Sequence, residues 1–256
     1  AFIQAIEGPG DVRMNRTKNR PVPAGRISRT HAAYFGLFAT IAGVAILCPT
    51  SNGLTAFLGV ANVVLYAGFY TPLKTRSSTN TLVGAVVGGI PPVMGWTAAT
   101  GSISAGALAL GALLFFWQIP HFLALAWMYR DDYARGGYKM VSTMDPSGRR
   151  TSILAVLYSL GLIPPCLALY FLGNASWVFG LTSIILSAGM ALAALMFAAS
   201  RSRKDARRLF FTSILYLPVL TVLLCLTVQT PLDHLTVSPA GLSSPPTVPF
   251  ISPDAQ

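Results

Sequence analysis

The chain has 256 residues, 53% of them hydrophobic and only 10% charged, with a mean hydropathy of +0.60. A soluble domain carries roughly a quarter charged residues, so the composition excludes an ordinary water-soluble fold and points to a polytopic membrane protein. The net charge of +10 would suit nucleic acid, but the bases are distributed in a way that excludes it.

The chain opens at Ala1 with neither Met nor signal peptide. Ala1 to Ile6 read as the tail of a helix whose start precedes the chain, and Gly8-Pro9-Gly10 as the place where that helix ends. Asp11 to Pro21 follows, the most polar stretch, with one acid and four bases in eleven residues. It cannot lie in the bilayer core and is a membrane-surface loop. An acid next to Arg16, Lys18 and Arg20 can hold a divalent cation and a polyphosphate together; such a loop can also serve only to fix topology.

Seven apolar runs approach the roughly 20 residues needed to span a membrane. They lie near Thr30–Cys48, Leu54–Tyr70, Asn80–Ala99, Ala105–Met128, Ser152–Leu172, Trp177–Ser200 and Leu209–Val228, the second being short. Backbone groups in lipid must be satisfied within the segment, so these runs are helices. Pro91-Pro92 and Pro164-Pro165 mark kinks or breaks within them. All 18 Lys and Arg residues fall in alternate loops, those before the first span and after the second, fourth and sixth. This is the positive-inside pattern, with every base on one face and the tail on the other. Thr230 to Gln256 is rich in Pro and Ser and reads as a disordered tail after a membrane domain of residues 1–229. Cys48, Cys166 and Cys225 lie in apolar runs without metal-ligand spacing and read as small hydrophobes.

The acids gather on the basic face. Glu7 and Asp11 are four residues apart and would share a helix face; Asp131 and Asp132 close a different helix. Brought together, they would make an acidic mouth with a basic rim above an apolar cavity, suited to a diphosphate head and a lipid tail. His121 lies one turn after Trp117 and eleven residues before Asp132. On an unbroken helix it shares a face with Asp132, about 16 Å deeper. A lone histidine in a membrane helix faces either a functional cavity or a hydrogen-bonding neighbour, and both readings stand at this point.

The order of these stretches resembles the protohaem IX farnesyltransferase (haem O synthase) family of UbiA-type intramembrane prenyltransferases, and its mitochondrial members in particular. The resemblance rests on Asp11-x-x-Met14-x-Arg16-Thr17-x-x-Arg20-Pro21, Tyr70-Thr71-Pro72-Leu73-Lys74, and Asn80-Thr81-x-x-Gly84-x-x-x-Gly88-x-Ile90-Pro91-Pro92-x-x-Gly95-Trp96. It continues through Trp117-Gln118-x-Pro120-His121-Phe122 and Asp132-Tyr133 with Gly136 and Met140, spanning about Glu7 to Val228.

The resemblance implies an all-α bundle of nine helices around a central cavity. Of these the chain would hold seven full spans and a stub, lacking the first helix and most of the second. It implies transfer of the farnesyl group of farnesyl diphosphate to a vinyl group of haem b, with Mg²⁺ as cofactor. The product, haem O, is passed on to later enzymes of haem A synthesis. Glu7, Asp11 and Asp132 would hold metal; Asp11, Arg16, Arg20, Lys74 and Asp132 would form the catalytic set; His121 and Trp117 would face the haem. The setting implied is the mitochondrial inner membrane, basic loops toward the matrix. One departure stands out: where the family's first motif begins with Asn, this chain has Ile3. A relative prenylating a quinone precursor, and an inactive shortened homologue, are the alternatives.

Overall fold

A computed structural model of the chain describes residues 1–228, so the expected disordered tail lies outside the described residues. The helices, in order, are α1 (Phe2–Asp11), α2 (Arg29–Thr50), α3 (Gly53–Val64), α4 (Thr71–Leu73), α5 (Asn80–Thr100) and α6 (Ala105–Met128). They continue with α7 (Arg130–Arg135), α8 (Arg149–Leu160), α9 (Ile163–Phe171), α10 (Trp177–Ser200) and α11 (Arg203–Thr227). A π-helical segment, Leu65–Tyr70, joins α3 to α4, and α8 runs into α9, giving among the described residues seven helices long and apolar enough to cross a membrane. Among the described residues there is no β-strand, only an isolated bridge between Ala175 and Val228.

Three of the boundaries that differ from the sequence reading have a local reason. The second span continues past Tyr70 to Leu73, because the chain enters Pro72 through the widened π turn instead of stopping at it. Thr71 Oγ1 donates to Tyr66 O at 2.8 Å within that turn. The last helix begins at Arg203, so Arg207 and Arg208 belong to its first two turns and not to a loop. Ser202 caps it, its hydroxyl accepting from Asp205 N at 3.1 Å. Finally, α1 runs through Pro9 to Asp11. Pro9 has no N–H for the carbonyl of Ala5; Arg29 Nε supplies the donor instead, at 3.0 Å.

α6 is the centre of the bundle, packed against α5, α8, α9 and α11. Packing in lipid depends on close backbone approach more than on the hydrophobic effect. α5 and α6 cross at Gly89 and Gly111, where a Cβ on Gly89 would come within 2.8 Å of Gly111 O. By contrast α2 and α3 bury few residues and present Tyr34, Phe35, Phe38, Ile41 and Phe57 outward, an apolar surface fit for lipid tails.

The two ends of the bundle are tied separately. At the end without basic loops, Asn52 Nδ2 donates to Thr97 O at 2.7 Å and Ser176 N to Thr227 O at 3.0 Å. At the other end Lys139 N donates to Lys74 O at 2.7 Å, Asp131 pairs with Arg203, and Trp127 Nε1 donates to Arg201 O at 3.0 Å. The basic loops therefore meet at one end, as their alternation in the sequence predicts.

Candidate functional site

A cavity of about 410 Å³ opens at the basic end, between α1, the π segment, α4, the start of α5 and the last turns of α6. Its wall includes two acids, Glu7 and Asp11, and three bases, Arg16, Arg20 and Lys74. α1 sets the acids in place: Ile3, Glu7 and Asp11 recur every four residues and all three line the cavity. Ile3 thus lies on the working face, where it supplies only hydrocarbon.

The π segment and α4 set the opposite wall. Tyr66, Tyr70 and Lys74 follow one another at four-residue spacing and all line the cavity. π turns frequently mark functional sites; here the widened turn carries two aromatic rings and a base toward α1. Gly84 of α5 leaves room for Tyr70, since a Cβ there would lie 2.6 Å from its ring. Tyr66 and Tyr70 meet edge to face at 5.1 Å, and Lys74 Nζ lies 4.4 Å from the centre of the Tyr70 ring.

The charges are paired across the cavity. Lys74 Nζ donates to Glu7 Oε1 at 2.7 Å, with 15% and 8% of the side chains exposed. Arg20 Nη1 donates to Asp11 Oδ2 at 3.1 Å, and Asp11 is 2% exposed. In both pairs the acid is buried and its charge is compensated by the base, so removing the base leaves an uncompensated ion. The loop carrying Arg16 and Arg20 is held by Thr17, whose hydroxyl donates to Asp11 O at 2.9 Å, and by Met14. Met14 is buried against Ala126, Tyr138 and Met140 in a small core of its own. Arg16 lies against Tyr129 and Tyr133, donating to Tyr133 Oη at 3.1 Å.

Three expected site residues are placed elsewhere. Asp132 is not among the residues lining the cavity; it is drawn aside by Arg135 and accepts from Arg16 N at 3.4 Å. Among the described residues no group of three His, Cys, Asp or Glu could share a metal ion. The expected trio of Glu7, Asp11 and Asp132 therefore reduces in this geometry to the pair on α1. His121 and Trp117 are likewise absent from the cavity wall and face α11. His121 Nδ1 shares a 2.8 Å hydrogen bond with Ser213 Oγ, and Trp117 Nε1 donates to Ser213 O at 2.8 Å. The imidazole stacks with Trp117 at 5.2 Å and with Phe210 at 4.7 Å. At that depth α6 turns Phe122 and Leu125, not His121, toward the cavity. The expected register between His121 and Asp132 also fails, because α6 stops at Met128 and Tyr129 leaves helical geometry before α7.

The family model described as the UbiA prenyltransferase family matches residues 4–215. The chain belongs to the UbiA prenyltransferase family. Among its relatives is a mitochondrial protoheme IX farnesyltransferase of Arabidopsis thaliana, 47% identical over 216 residues, covering 84% of this chain and 50% of the relative. The corresponding protein of Homo sapiens is 46% identical over 228 residues, covering 89% and 51%. The chain thus spans about half the length of these two relatives. A solved structure of digeranylgeranylglyceryl phosphate synthase shares the fold, with a TM-score of 0.70 at 13% identity over 88% of this chain and 80% of that one.

Two cavity residues of this UbiA-family chain, Tyr66 and Tyr138, fall outside the motifs that carry the resemblance. Tyr66, Thr81 and Tyr138 line the cavity together with Asn80, whose Nδ2 donates to Lys139 O at 2.9 Å. The four-residue spacing Tyr66–Tyr70–Lys74 is the signal that could have found Tyr66.

Proposed function

We propose that this chain transfers a farnesyl group from farnesyl diphosphate to a vinyl group of protohaem IX, making haem O. The observation that carries the reading is the pairing of Glu7 with Lys74 and Asp11 with Arg20 in the wall of one cavity at the basic end of a membrane bundle. The names of the relatives supply the acceptor.

Each pair stores a base and an acid that a diphosphate and its counter-cation can separate. Lys74 and Arg20, exchanging carboxylate for phosphate oxygen, would hold the diphosphate and stabilise the charge that grows as the C–O bond breaks. Arg16 adds a third base from the same loop. The donor set left to a metal is two carboxylates on one helix face, a fit for Mg²⁺, which binds through one or two carboxylates together with substrate phosphates. When bound, the metal would supply Lewis-acid stabilisation of the leaving diphosphate. Asp132, by fixing Arg16 N and Arg135, keeps the basic loop over the site.

Cleavage leaves an allylic cation. The rings of Tyr66, Tyr70 and Tyr133 offer π faces to it, and Phe122, Leu125 and Met140 keep water away from it. The electron pair of the haem vinyl group forms the new C–C bond, and water then captures the resulting cation and loses a proton. The chain would act in the mitochondrial inner membrane with its basic end toward the matrix and pass haem O to later haem A enzymes. The test is incubation of the purified membrane protein with haem b, farnesyl diphosphate and Mg²⁺, with mass detection of haem O. Prenylation of an aromatic quinone precursor in place of haem would overturn the acceptor, and absence of any prenyl transfer would overturn the whole reading.

A further inference from the structure

Tyr138 is 5% exposed, and its hydroxyl is buried without a hydrogen-bond partner among the described residues. Leaving a buried hydroxyl unsatisfied is destabilising, so its presence calls for a reason. The ring and its hydroxyl together fill a fitted space. Two glycines make that space: a Cβ on Gly10 would lie 2.9 Å from Tyr138 Oη, and one on Gly136 would lie 2.8 Å from the ring. The hydroxyl is thus tucked under the end of α1, the helix that carries Glu7 and Asp11.

Tyr138 and Glu7 also share a position in the fold. Both line the inner cavity, and both line a second cavity of about 340 Å³ on the other side, bounded by Arg13, Pro72, Thr75 and Gly137. They form part of the partition between the two. Burial, with the carboxylates of Glu7 and Asp11 adding to it, pushes the Tyr138 phenol above its ordinary value of 10. The group stays neutral at physiological pH and offers its proton to a nearby anion. Of the two carboxylates that act on the phenol Glu7 acts the more strongly, and it is engaged through Oε1 by Lys74.

We infer that Tyr138 is a positioning residue, the second seat of Glu7: when Lys74 turns to a bound diphosphate, the Glu7 carboxylate takes its hydrogen bond from Tyr138 Oη. No proton changes hands. The hydroxyl that is orphaned in the free protein becomes satisfied in the loaded one, so its cost is relieved only on binding and adds to the affinity. This inference rests on the reading that the inner cavity takes a diphosphate.

The experiment compares the parent protein with Tyr138→Phe in detergent, using inorganic pyrophosphate with Mg²⁺ as the probe. The ligand-free Tm of Tyr138→Phe is expected to equal or exceed that of the parent, because an unsatisfied group has been removed. Its pyrophosphate Kd is expected to be about tenfold weaker, the worth of one hydrogen bond to a charged group. In a Glu7→Gln background the same change should lose most of that tenfold effect, which a merely structural tyrosine would not do. A lowered ligand-free Tm with unchanged Kd would overturn the inference and make Tyr138 a packing residue. A Kd loss that persists in full beside Glu7→Gln would overturn the partnership with Glu7. A parent protein that binds no pyrophosphate would overturn the diphosphate reading of the cavity itself and this inference with it.

Discussion

Two polar clusters lie against the apolar bundle, and they solve the same physical problem in opposite ways. In the first, Glu7 with Lys74 and Asp11 with Arg20 are opposite charges facing across a cavity. In the second, His121, Trp117 and Ser213 are neutral groups closed on one another between α6 and α11, with aromatic rings on both faces of the imidazole. The first cluster has partners that a charged ligand can displace; in the second, His121 Nδ1 and Trp117 Nε1 are both bonded to Ser213, and neither side chain lines the cavity of the first. A rare polar residue in a membrane helix marks function only when its neighbours leave something for a ligand to take.

The largest expected effect comes from breaking the first cluster. Lys74→Met should lower farnesyl transfer by at least about a hundredfold, as loss of a base on the leaving group does. It should also cost about 3 kcal/mol of stability, because Glu7 is left buried and unpaired. Adding Glu7→Gln should restore the Tm without restoring haem O production. If the double variant recovers transfer, the pair is only a structural tie and the contrast with His121 collapses.

A smaller loss is expected from Gly84→Ala. The new Cβ would meet the Tyr70 ring at 2.6 Å, and Lys74 rests against that ring. Overpacking of this kind costs about 1–3 kcal/mol. The measurement is transfer rate beside Tm: a rate loss of roughly tenfold with a moderate Tm shift ties Tyr70 to the site, whereas an unchanged rate would detach it.

Much of this was legible in the residues. The spans followed from hydropathy and length, and the sidedness of the loops from the placement of Lys and Arg, because the bilayer imposes both on the sequence directly. Glu7, Asp11, Arg16, Arg20 and Lys74 stood out because charge is scarce in this chain and theirs fell within matching motifs. What the sequence could not convey was direction. His121 and Phe122 are adjacent in sequence and face different partners, and the break at Tyr129 that uncouples His121 from Asp132 depends on how the 129–148 loop folds back onto Met14 and Lys74. Nor did any pattern announce the π turn, which arises where Pro72 interrupts the backbone ladder within a span that must still cross.

The second cluster should respond to mutation only in stability. His121→Ala and Ser213→Ala remove the same interhelical bond, and their coupling in a double-mutant cycle should be about 0.6 kcal/mol, the average for such bonds within membranes, and no more than about 1.7. Pyrophosphate affinity, read with Mg²⁺ present, should stay within about twofold of the parent, well under the tenfold that 1.4 kcal/mol represents. Loss of haem binding in His121→Ala at an unchanged Tm would reverse this assignment and return His121 to the acceptor side.

The smallest effect sharpens the comparison from a third position. Asp145 is a buried acid at the same end of the bundle as Asp11. Its oxygens accept from Thr151 N at 2.8 Å, Thr151 Oγ1 at 2.9 Å and Ser147 Oγ at 2.9 Å, all local groups in the first turn of α8 or just before it. Burial alone would raise its pKa, but these hydrogen bonds outweigh it and hold the carboxyl below its ordinary value of 3.8. A depressed folded-state pKa contributes stability above the unfolded value and loses it as pH falls through the folded one. Asp145→Asn should therefore cost about 1 kcal/mol near neutral pH, the worth of a capping acid. The gap between variant and parent should narrow below about pH 4, where the carboxyl protonates in the unfolded chain while the folded one still holds its charge. Transfer activity should not change, since Asp145 does not line the cavity that holds Glu7 and Asp11. Thermal unfolding of both proteins in detergent across that pH range checks the first expectation and haem O yield the second; a gap that stays constant with pH would mean that shape rather than charge holds the first turn of α8.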